Sequence, residues 1–110
     1  ARKRGRYGAR DALMIQLAYQ HGLRASELVS MEWTQVDFQH QRLHVNRAKN
    51  GLPAVHPLTG QELRALRALR REDPHSLFLF MSERGAPVSP DGFRKMLART
   101  AVEAGLEALA

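Results

Sequence analysis

An α+β fold, mainly helical with a small three-stranded antiparallel sheet, is predicted by three observations. Apolar residues recur at helical spacing on both sides of residues 35–58. Between those limits, β-branched and aromatic residues fall in short alternating runs broken by turn residues. Asn50 and Gly51 then stand where two of those runs meet, the strongest short hairpin signal. At 110 residues, with 44% hydrophobic and 25% charged positions, the chain has the size and composition of one globular domain or a part of one.

The first helix is expected over residues 9–20, where Leu13, Met14, Leu17 and Ala18 form an apolar stripe, and Gly22 follows where a left-handed residue would end it. A short second helix is expected over 25–31, with Leu28, Val29, Met31 and Trp33 on its apolar side. Val36, Asp37 and Phe38 read as a first strand. Residues 42–47 alternate, placing Leu43 and Val45 on one face and His44 and Asn46 on the other. Residues 52–56 return as a third strand at an edge, since Pro53 has no N–H for a ladder.

Thr59 and Glu62 stand at capping-box spacing and open a helix to about Glu72, with Leu63, Leu66 and Leu69 inward and Arg64, Arg67, Arg70 and Arg71 on a solvated face. The run 77–81 is too short for a helix and reads as a buried extended segment. A turn through Gly85 and Pro87 leads to a last helix, capped by Ser89 with Pro90 in its first position. Phe93, Met96, Leu97, Thr100, Ala101 and Ala104 form its stripe, and Gly105 ends it.

The net charge of +6 points to a nucleic-acid partner. Arg2, Lys3, Arg4, Arg6 and Arg10 precede the first acid, Asp11, so the body is nearly neutral and the charge sits in a basic linker or arm over residues 1–8. No apolar stretch approaches the roughly 20 residues of a membrane span, so no membrane partner is expected. The absence of cysteine excludes disulfides and thiolate metal sites and fits a cytoplasmic location. His44 and His56 fall on paired strands, yet no third ligand stands at a recognisable spacing, and no metal is expected.

The segment carrying the most chemistry is His21, Gly22, Leu23, Arg24, Ala25, Ser26, Glu27 and Leu28. It sets an arginine at a helix start, where unpaired N–H groups and a guanidinium together suit a phosphate, and Glu27 is one turn on to orient it. As an isolated pair, Arg24 and Glu27 are also an ordinary surface ion pair. Lys49, beside Asn50 at the tip of the expected hairpin, is where a lysine can reach a leaving oxygen.

In their order along the chain these features resemble the tyrosine recombinases, the phage integrase family, from Arg10 to Leu106. The likeness is nearest to the recombinases that invert fimbrial switches. Gly22, Leu23, Arg24, Ala25, Ser26, Glu27 and Leu28 match the family's Gly-Leu-Arg-x-x-Glu-Leu segment, and Trp33, Val36 and Asp37 resemble its Trp-x-x-Asp stretch with shifted spacing. The resemblance implies that Arg24 is the first active-site arginine, Glu27 its support, and Lys49 the general acid of the hairpin. Arg47 and Asn50 beside Lys49, and the basic start, are the implied DNA contacts.

It implies double-stranded DNA as substrate, no cofactor, and self-association of the full-length protein on DNA. Residues 9–110 become the N-terminal part of the catalytic domain, ending before the His-x-x-Arg motif and the tyrosine nucleophile. His21 to Arg24 also spells His-x-x-Arg. The chain's tyrosines, Tyr7 and Tyr19, both precede it, however, and a lysine hairpin follows it, which assigns Arg24 to the first motif. A fragment so bounded is expected to be inactive alone. The alternative is a non-catalytic helix-turn-helix DNA-binding module or a truncated regulator, since a helix, a Gly22 turn and a short helix also fit that plan.

Overall fold

The computed structural model describes residues 2–46, 54–82 and 85–103, and of 2–7 and 102–103 only the backbone. Helix α1 spans Arg2–His21, α2 Ala25–Val29, α3 Gly60–Glu72 and α4 Pro90–Glu103. Strands β1 (Val36–Asp37), β2 (Arg42–Val45) and β3 (Ala54–Pro57) form one antiparallel sheet in the order β1-β2-β3. β3 is an edge, a place that suits Pro57, which has no N–H to give a further ladder. Val36 faces Leu43 and Val45 faces Ala54, with Leu43 and Val45 buried and His44 exposed between them.

Leu13, Met14 and Leu17 of α1, Leu28 of α2, Leu43 and Val45 of β2, Leu63 and Leu66 of α3, and Phe93 and Met96 of α4 meet in one core. Helix α1 packs on α2 and α3, and α2 also packs on α4. The short helix is thus enclosed rather than displayed.

Four features differ from the sequence reading. α1 starts at Arg2 rather than near residue 9, so the basic start is helical. Gly5 and Gly8 lower helix propensity there by about 1 kcal/mol each without supplying a stop. α2 ends at Val29 rather than residue 31 because the next backbone groups are used elsewhere. Met31 O accepts from Leu79 N at 3.1 Å, and Trp33 N donates to Leu77 O at 3.0 Å. Trp33–Gln35 form a 3₁₀ turn that the pattern did not suggest. Leu97, expected inward, is 40% exposed.

The capping box of α3 is formed: Glu62 N donates to Thr59 Oγ1 at 3.1 Å and Thr59 N to Glu62 Oε1 at 2.9 Å. Ser89 Oγ accepts from Gly92 N at 2.9 Å at the start of α4. The extended segment 77–81 is present and buries Leu79 and Phe80, although Leu77 at its start is exposed. Part of the arginine face of α3 is used against aromatic rings. The Arg67 guanidinium lies 5.3 Å from the Phe38 ring centre, and that of Arg70 5.9 Å from the centre of Trp33. The Asn50 and Gly51 turn and the Gly105 stop lie outside the described residues.

Candidate active site

The path into the site is set by the end of α1. Gly22 takes φ 64°, a left-handed conformation that glycine adopts without a Cβ penalty, and Leu23 N reaches back to Ala18 O at 3.0 Å. Leu23 is buried, so the chain is anchored on the core immediately before Arg24 emerges. Arg24 is the N-cap of α2 in extended geometry, with φ −76° and ψ 158°. Its carbonyl accepts from Leu28 N at 2.9 Å.

Glu27 is buried, and its Oε1 accepts from the backbone N–H of Arg24 at 2.8 Å. The carboxylate therefore holds the main chain of Arg24, a firmer restraint than the side-chain ion pair suggested by the spacing. The Arg24 side chain is exposed, and its guanidinium makes no hydrogen bond or ion pair among the described residues. Its donor fork is left for a ligand with paired oxygens. With five residues, α2 adds little macrodipole, so attraction for an anion rests on the guanidinium and the N–H groups of the first turn.

Lys49, Arg47 and Asn50 lie outside the described residues, in the connection between β2 and β3. Arg2, Lys3, Arg4 and Arg6 fall on the first turns of α1. His44 and His56 lie on paired strands but on opposite sheet faces, since His44 faces Val55 and His56 faces Leu43. Among the described residues no group of His, Cys, Asp and Glu is placed to hold a metal ion, and no helix is long and apolar enough to cross a membrane.

Sequence reasoning missed a buried polar cluster next to the site. His21 Nε2 lies 2.8 Å from Glu62 Oε2, and His21 Nδ1 lies 3.0 Å from His56 Nδ1. The available signal was the position of His21, four residues beyond Leu17 on the apolar stripe of α1.

The sequence profile of the phage integrase family matches residues 2–110. The chain belongs to the phage integrase family. This integrase-family chain is similar to the type 1 fimbriae regulatory protein FimE of Escherichia coli strain K12, at 34% identity over 107 residues, covering 92% of the chain and 54% of FimE. It is also similar to the tyrosine recombinase XerC of Roseiflexus sp. strain RS-1, at 33% identity, covering 88% of the chain and 34% of XerC. Among solved structures, a lambda integrase dimer bound to a COC′ core site matches with a TM-score of 0.67 at 22% identity, over 91% of this chain and 31% of that one, a likeness of fold. The chain spans about half the length of the fimbrial relatives, and the three-stranded sheet among helices is the fold it shares with the integrases.

Proposed function

We propose that this chain is the part of a site-specific tyrosine recombinase that supplies the first phosphate-binding arginine, Arg24, and the general acid, Lys49, for breaking and rejoining double-stranded DNA. The observation that carries the reading is Arg24: an exposed guanidinium on a backbone pinned by the buried Glu27 carboxylate. Preorganised donors of this kind stabilise charge that grows on a phosphate in an in-line displacement without reorganising as it forms.

In the proposed step a tyrosine oxygen attacks the scissile phosphorus while the bond to the 5′ oxygen breaks. Lys49 gives its proton to that departing oxygen, and the 3′ phosphate remains on the tyrosine until a strand hydroxyl reverses the step. Tyr7 and Tyr19 precede Arg24 and sit on α1, so on this reading the nucleophile and the His-x-x-Arg arginine come from chain beyond these residues, and the 110 residues alone are inactive. The basic first turns of α1, with Arg47 and Asn50, add non-specific affinity by neutralising backbone phosphates. The full-length protein self-associates on its DNA.

The helix-turn-helix alternative is disfavoured by α2 itself. It has five residues, of which Glu27, Leu28 and Val29 are buried, and presents too little polar surface to read base edges.

The test is Arg24→Ala in the full-length product of the encoding gene. Strand cleavage should fall by about 10²-fold or more while DNA affinity changes little. Arg24→Lys should restore little of the loss, because an ammonium lacks the planar fork. Normal cleavage by Arg24→Ala would overturn the assignment.

A further inference from the structure

The cluster of Glu62, His21 and His56 ties together three elements: the start of α3, the end of α1 and β3. Glu62 is fully buried at 0% exposure, and its Oε1 is taken by the Thr59 N–H at 2.9 Å. Its Oε2 lies 2.8 Å from His21 Nε2, a ring with 5% of its side chain exposed. A carboxylate offers only lone pairs, so this nitrogen of His21 carries the hydrogen. His21 Nδ1 and His56 Nδ1, 3.0 Å apart, then share one hydrogen: His56 donates it when the His21 ring is neutral, and His21 donates it when that ring is protonated. Two bare or two protonated Nδ1 atoms would repel at this distance.

The two histidines of this chain of bonds each lie close in sequence to a residue of the proposed chemistry. His21 is the last residue of α1, with only Gly22 and the buried Leu23 between it and Arg24. His56 lies in β3, which receives the chain from the connection that carries Lys49, and it faces Leu43 across the ladder. Glu62 is the N3 residue of α3 and fixes the far end. A buried network is rigid when its members are satisfied, and small displacements of a catalytic group carry large rate penalties.

We infer that His21 and His56 are positioning residues: their Nδ1 to Nδ1 hydrogen bond, anchored on buried Glu62, sets the turn that presents Arg24 against the strand leading out of the Lys49 connection. The inference rests on the proposed roles of Arg24 and Lys49.

Two measurements on the full-length gene product test it. In protein labelled with ¹⁵N at histidine, a through-hydrogen-bond coupling should join Nδ1 of His21 and Nδ1 of His56, and its absence overturns the inference. In strand-cleavage assays, His56→Leu should slow cleavage by about tenfold or more at unchanged DNA affinity. His56→Asn, whose amide can offer either a donor or an acceptor near the position of Nδ1, should recover to within about threefold of wild type on the same principle. Should His56→Leu fail to fold, His56→Asn decides: fast cleavage supports the hydrogen bond, and slow cleavage by a folded His56→Asn overturns it. Wild-type rates in a folded His56→Leu also overturn it. Arg24→Ala, run beside them, separates the two ideas. If it cleaves normally, or if the wild type does not cleave, the recombinase reading fails. If it is dead while His56→Leu is fast, only the positioning role fails.

Discussion

Replacing Glu27 by alanine removes the acceptor that holds the Arg24 main chain, and the structure allows the cost to be sized. The bond is 2.8 Å long, its acceptor is charged, and Glu27 is only 7% exposed, so water does not easily take its place. A buried hydrogen bond to a charged group contributes about 1.5–3 kcal/mol. Helix α2, with five residues, has no reserve of its own, because isolated helices this short do not nucleate in water. A loss of about 2 kcal/mol is expected for Glu27→Ala. Glu27→Gln keeps an acceptor at the same reach without the charge and should cost about half as much.

Urea denaturation followed by the fluorescence of Trp33, the single tryptophan of the chain, measures both. In the full-length gene product, on the proposed function, the cleavage rate should fall more for alanine than for glutamine. Alanine within about 0.5 kcal/mol of wild type, or glutamine as costly as alanine, would refute the argument from a charge-assisted bond to the main chain.

Gly22→Ala should cost roughly 1–2 kcal/mol, because φ is 64° while the space around an added Cβ is open, so the penalty is conformational and Gly22→Asn should cost less. Equal melting temperatures for the wild type and both variants would remove that explanation. Leu66→Ala, at a fully buried position, should cost about 2–5 kcal/mol in chemical denaturation, against well under half of that for Leu97→Ala at 40% exposure. Asp37 is held below its ordinary pKa of 3.8, first by the backbone N–H of His40 and then by the imidazole of the same residue. A carboxyl lowered in the folded state adds stability above its unfolded pKa and loses it as pH falls through the folded value. Asp37→Asn should therefore be less stable than wild type at pH 7, with the gap narrowing as pH drops below about 4. A gap that stays constant down to about pH 2 contradicts this.

The local signals of the chain were legible without coordinates because each acts within about one turn. Gly22 takes the left-handed conformation that ends α1, Thr59 and Glu62 close a capping box, Ser89 caps α4, and the alternation of Leu43 and Val45 with His44 sets the buried face of β2. The position of Arg24 at a helix start was readable for the same reason, and with it the resemblance that the family match bears out.

Only the tertiary structure decided the rest. α2 stops early because the backbone of Met31 and Trp33 is claimed by the segment at Leu77 and Leu79, far away in sequence. Glu27 turns inward to the Arg24 main chain because packing buries its side chain and a buried carboxylate needs a donor. His21, His56 and Glu62, 35 and 41 residues apart across their two contacts, meet because α1, β3 and α3 bring them together. No pattern along the chain encodes such a meeting. Periodicity assigns a residue to a face of its own element, and which buried polar group waits on the facing element is settled when the elements pack.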